Sequence, residues 1–109
     1  MALGMIEVFG FTTSVVVADA AAKAGNVTIV ALDKNKPAAG DAAEVPLIIA
    51  VKINGAEADV EQAVQAGVQA AKERNLYLTS YVIANEAEDT KKMAAICAVG
   101  HDQLTPLSR

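Results

Sequence analysis

The strongest constraint in this sequence is the order in which two hydrophobic periods follow one another. The segment GMIEVFGF (Gly4–Phe11) alternates with period two: Met5, Glu7 and Phe9 point one way, Ile6 and Val8 the other. That alternation, rich in β-branched and aromatic residues, reads as a strand. TTSVVVADAAAKAGN follows, and there Val15, Ala18 and Ala22, with Val16 beside them, recur at helical spacing. The consecutive valines alone favour a strand, but the alanine run decides for a helix. Thr12, Thr13 or Ser14 is expected to cap it by accepting orphan backbone N–H bonds. Gly25 is expected to end it in the left-handed conformation that glycine tolerates.

The period then returns to two. VTIVALDK (Val27–Lys34) reads as a second strand and PLIIAVKI (Pro46–Ile53) as a third. Asn54-Gly55 is a turn signal. A second helix is expected from about Ala58 to Arg74, with Val60, Ala63, Val64, Gly67, Val68 and Ala71 on one stripe. Its acids gather at the start and Lys72 and Arg74 at the end, as the helix dipole favours. Gly67 in mid-helix costs about 1 kcal/mol relative to alanine. It marks either close approach by a neighbour or a tolerated glycine. LYLTSYVIA (Leu76–Ala84) reads as a fourth strand, and a short helix is expected from about Asp89 to Val99.

The resulting order, β-α-β-β-α-β plus a short C-terminal helix, is an α/β chain of the α+β kind. It predicts a split-βαβ sandwich, with two helices on one face of a four-stranded antiparallel sheet. Residues 1–100 are expected to form one domain, and 101–109 (HDQLTPLSR) a polar tail, as 109 residues suit a single domain. Much of the apolar content is alanine, which buries little area per residue. Oligomerisation is then a natural way to bury more surface.

The formal charge of −4 and the lack of a basic cluster argue against nucleic acid. No apolar run reaches membrane-spanning length, and MALGMIEVFG lacks the basic flank and apolar core of a signal peptide. Cys97 is the only cysteine, which excludes an internal disulfide framework.

Catalytic chemistry is sparse. His101, the single histidine, stands in the tail beside Asp102, and Cys97 sits among apolar neighbours. They could face one another only if the last helix ran through Gly100. The carboxylates Glu57, Asp59, Glu61, Glu86, Glu88 and Asp89 gather at two helix starts, where capping and the dipole already explain them. No metal site, cofactor or catalytic residue is assigned. Asp33 and Lys34 at a strand end could hold a ligand, but a solvated turn is the simpler reading. Between the second and third strands lies DKNKPAAGDAAEVP, a stretch with nothing to build a core from.

The opening MALGMIEVFGFTTSVVVADAAAKAGNVTIVALDK resembles that of bacterial microcompartment shell proteins of the single-domain, hexamer-forming type. The likeness lies in Ala2 to Glu7 and Asp19 to Asn26, and is extended by DVEQAVQAGVQAAKE and SYVIAN. It covers roughly residues 1–34 and 47–93. The resemblance implies homohexameric discs that tile edge to edge, with other shell proteins, into a shell around metabolic enzymes in the bacterial cytoplasm. It implies a central pore passing small polar metabolites, lined by the segment between the second and third strands. Here that segment lies within Lys34–Leu47, and Lys34, Asn35, Lys36, Pro37, Gly40, Asp41 and Glu44 become pore-loop candidates. Pro37 and Pro46 limit its collapse. The family's edge lysine corresponds to Lys23, with Asn26 and Asn85 also on the disc edge.

Two departures stand out. The segment is longer than usual and lacks the short Gly-Ser-Gly motif. Asn85 occupies the place where many members carry an arginine, so a planar multi-donor fork is missing. Helix alanines and glycines (Ala18, Ala22, Ala63, Gly67) permit close approach either inside the domain or between subunits. The alternative function is a small oligomeric, ferredoxin-like regulatory module that binds a metabolite or nucleotide through residues 34–46. An enzyme using Cys97 or an acid pair is the third reading.

Overall fold

The structure is a computed structural model, and it describes residues 1–35 and 47–95. In chain order these form β1 (Ala2–Phe9), α1 (Phe11–Ala24), β2 (Val27–Asn35), β3 (Ile48–Gly55), α2 (Glu57–Glu73), β4 (Tyr77–Ile83) and α3 (Glu88–Ala94). The strands build one four-stranded sheet in the order β2-β3-β1-β4. Every neighbouring pair is antiparallel. The expected fold class is therefore the observed one.

The alternation in β1 sorts its side chains between two faces. Ala2, Ile6 and Val8 join Val51 and Ile53 of β3 in a core closed by Val17 and Ala21 of α1 and Val60, Ala63, Val64, Ala70 and Ala71 of α2. The registers agree: Ile6 stands opposite Val51, and Val8 opposite Ile49. Met5, Glu7 and Ala50 point from the opposite face of the sheet, as does Tyr81, the partner of Met5. The ladders carry two irregularities, one at Glu7/Val8 against β4 and one at Ile29/Ala31 in β2.

α1 departs from its expected reading in three ways. Gly10 is its N-cap and no side chain caps the first turn. Ser14 is fully buried, and its hydroxyl donates back to the Phe11 carbonyl at 2.5 Å. A hydroxyl inside the helix bonds to the preceding turn and cannot serve as a cap. Second, the buried stripe is Thr13, Ser14, Val17 and Ala21. Val15 is 46% exposed and Ala22 is exposed as well. Two small polar residues hold the core face, and so the helical stripe of alanines and valines is displaced from it. Third, Gly25 is extended, with φ −148° and ψ 160°, rather than left-handed.

Gly25 is required for space instead. A Cβ there would meet the backbone oxygen of Asp59 in the first turn of α2. Gly67 makes the matching approach farther along. A Cβ on it would lie 2.6 Å from Ile6 Cδ1 and 3.1 Å from Val17 Cγ1. Gly67 is thus a site of close approach inside the domain, where α1, α2 and β1 meet.

The remaining shifts are local. Asn54 and Gly55 do not turn; they continue β3, because Gly55 is held between Ala2 and Val27. The third strand accordingly spans Ile48–Gly55 rather than starting at Pro46, which lies outside the described residues. α2 ends through Asn75, whose φ of 57° is left-handed. Asparagine tolerates that region, and the N–H groups of Asn75 and Leu76 donate to the Lys72 and Ala71 carbonyls. α3 starts at Glu88, and the expected continuation toward Val99 lies outside the described residues.

Gly25→Ala should destabilise the fold by about 1–3 kcal/mol, the usual range for overpacking, because backbone cannot yield as a side-chain tip can. Gly67→Ala should cost less, since the flexible Ile6 tip can shift and alanine recovers about 1 kcal/mol of helix propensity. Denaturant midpoints of the two variants give the comparison.

Candidate functional site

The antiparallel registers divide the domain into two ends. Val27, Gly55 and Ala2 lie side by side at one end, and Asn35, Ile48 and Phe9 at the other. α1 runs from the second end to the first, because it leaves β1 after Phe9 and enters β2 at Val27. Residues far apart in sequence are thereby gathered.

The first end holds Lys23, Asn26 and Asn85. Lys23 lies in the last turn of α1, its side chain 75% exposed, and pairs with Asp19 at 2.8 Å. The hydrogen bond and charge of Asp19 raise the Lys23 pKa above the ordinary lysine value. Asn26 begins the crossing to β2; its side chain is exposed while its backbone N–H donates to Asp59 Oδ1 at 3.2 Å. Asn85 is exposed in the turn after β4. The structure thus brings the three sequence-nominated edge residues to one end of the domain.

Two further residues at this end were not singled out for it by the sequence. Asn54 donates through Nδ2 to the Ala2 carbonyl at 2.9 Å and to Glu86 Oε1. The Glu86 backbone N–H donates to the Met1 carbonyl at 3.2 Å. Glu86 Oε2 is buried without a partner among the described residues. Glu86 reads in sequence as one more acid before a helix. Only the register, which sets Leu3 between Asn54 and Ile83, brings it beside β3.

The second end is where the segment between β2 and β3 departs. Lys34 and Asn35 are the last residues of β2, paired with Ile49 and Ile48. Lys34 is exposed. Lys36, Pro37, Gly40, Asp41 and Glu44 lie outside the described residues, as do Cys97, His101 and Asp102. Chain crossings here are tied by the Phe9 N–H to the Leu76 carbonyl, 2.9 Å, and the Gly10 N–H to the Leu47 carbonyl, 2.8 Å. Asp33 is not in a solvated turn. It sits within β2 and accepts from Lys52 Nζ at 3.3 Å, a pair whose lysine side chain is only 13% exposed.

Among the described residues, no group of three or more His, Cys, Asp or Glu side chains is arranged to hold a metal ion. No described helix is long and apolar enough to cross a membrane. Asn54→Ala would strip Glu86 Oε1 and the Ala2 carbonyl of their donor. It should cost about 1–3 kcal/mol, as buried acceptors left unpaired do, and a lowered denaturation midpoint is the readout.

Known proteins agree with this architecture. The chain is 31% identical over 98 residues to the carboxysome shell protein CcmK3 of Halothece sp. (strain PCC 7418), an alignment spanning 88% of this chain and 87% of that one. It superimposes with a TM-score of 0.65, at 33% identity, on the crystal structure of a microcompartment protein from Desulfitobacterium hafniense DCB. That match covers 84% of this chain and 47% of the other, so the chain spans about half the length of this structural relative. A family model, the BMC domain, matches residues 2–86. The chain belongs to the BMC-domain family of microcompartment shell proteins, which is structural rather than catalytic.

Proposed function

We propose that this chain is a shell tile: copies of it form a cyclic hexamer, hexamers meet edge to edge, and a pore runs along the six-fold axis. The observation that carries this reading is the separation of the two ends. Lys23, Asn26 and Asn85 stand where β2 begins and β4 finishes, and the 36–46 segment leaves from the opposite end. A wedge-shaped protomer needs this polarity, with one end directed at the axis and the other at the neighbouring disc.

In this reading Lys34 and Asn35 stand at the pore rim, and Lys36, Pro37, Gly40, Asp41 and Glu44 follow them toward the axis. The mixture of two lysines with two acids suits small polar metabolites. Lys23 reaches across the edge, its ammonium kept protonated beside Asp19. Asn85 supplies a shorter, uncharged contact where relatives use an arginine. The edge then favours joining with other shell proteins of the same compartment as well as with itself. Residues 1–100 act as the tile and 101–109 as a tail, and encapsulated enzymes lie on one side of the shell.

Electron microscopy of concentrated protein tests the assembly. Wild type should give sheets or tubes of discs. Lys23→Ala should give isolated discs, because the edge contact is lost while the ring remains. Undiminished sheets from Lys23→Ala would remove Lys23 from the edge.

A further inference from the structure

The N-terminus of α1 is left open by its own sequence. Gly10 is the N-cap, with φ 92° and ψ 143°, and brings no side chain to the point where a capping oxygen would stand. The first N–H groups of a helix have no intrahelical partner. The Gly10 N–H donates to the Leu47 carbonyl at 2.8 Å, while those of Phe11, Thr12 and Thr13 have no partner among the described residues. No acid in the first turn answers the helix dipole.

Thr13 makes this opening more than a bare helix end. It is only 6% exposed, and its hydroxyl makes no hydrogen bond among the described residues. The hydroxyl is turned toward the gap, since a Cβ built on Gly10 would lie 3.6 Å from Thr13 Oγ1. A buried hydroxyl without a partner costs free energy, and a ligand oxygen beside Gly10 would remove that cost. Ser14 is already bonded to the Phe11 carbonyl. Phe11 and Thr12, on the outer side of the turn, are exposed.

We infer that the start of α1 binds the phosphate group of a small metabolite, with the Thr12 and Thr13 N–H groups and the Thr13 hydroxyl as donors. One phosphate oxygen takes the place of the missing cap. The others turn outward, toward the Thr12 hydroxyl and the cations at this end of the domain. Leu32 packs on the core, so Lys34, two residues on, projects from the same, helix-bearing side of the sheet. Arg74 follows the last turn of α2, two residues before Leu76, whose carbonyl accepts the Phe9 N–H. Glu73 offsets part of this charge, and Glu7 faces the other side of the sheet. The site belongs to one chain; its place around the pore rests on the shell-tile reading, in which six copies surround the axis.

Amide NMR of the full chain, titrated with inorganic phosphate against chloride at matched ionic strength, tests the site. Phosphate should shift the Thr12 and Thr13 amide signals along a saturating curve, and chloride should not. Methyl phosphate should bind at least as tightly as the free ion, and acetate more weakly. Thr13→Val keeps the side-chain shape and removes the hydroxyl. It should weaken binding by about tenfold or more, the loss of one hydrogen bond to a charged group. Thr12→Asp puts an acid at an exposed position where the helix dipole favours one. It should fold at least as stably as wild type and abolish the response.

No saturable shift at Thr12 and Thr13, or unchanged binding by either variant, would overturn the site. Acetate binding as tightly as phosphate, or no binding of methyl phosphate, would overturn the ligand assignment. Light scattering on the same samples reads assembly separately. A monomer that binds phosphate would overturn the shell-tile reading and leave the site, and a six-chain ring without the response would do the reverse.

Discussion

The close approach of α1 and α2 over β1 is the contact on which the rest of the structure depends. It works because side chains are absent at two points. Gly25 lets the end of α1 lie against the first turn of α2, and Gly67 lets α2 settle onto Ile6 and Val17. With both helices drawn onto one face, a core of valines, isoleucines and alanines closes without a single aromatic among its fully buried members. The small residues that looked like a poor core are what makes a close-set sandwich possible. Voids would be costly in such a thin core, so short side chains must be matched by short separations.

The same contact orients the two ends of the domain. Because α1 spans the domain from Phe11 to Ala24, it carries Lys23 to the end opposite the β2–β3 segment. Antiparallel pairing does the rest, bringing Asn54, Glu86 and the start of β1 together behind the exposed Asn85. The family relationship gives this polarity its meaning. In the proposed tile one end faces the axis and the other the neighbouring disc, and the order of the elements along the chain fixes which residues stand at each end.

Much of this was legible in the sequence. The change of period from two to 3.6 and back located four strands and two helices, and the opening residues Ala2 to Glu7 pointed to the family. What stayed hidden depends on tertiary contact. The inward face of α1 is not the one its apolar spacing suggests, because Thr13 and Ser14, polar in sequence, are buried, while apolar Val15 is exposed. Gly25 and Gly55 read as backbone punctuation, yet one is kept for space and the other continues a strand. Glu86 was indistinguishable from its acidic neighbours until the register of β1 placed it beside Asn54. The pore-loop candidates Lys36 to Glu44 lie outside the described residues, and their roles rest on the family relationship.

The mass of the assembled chain in solution tests the central claim most directly. A ring of this tile has a mass six times the 11.2 kDa of one chain. Multi-angle light scattering on the wild-type protein should return that value in a single symmetric peak. A monodisperse monomer at the same concentration would contradict the account.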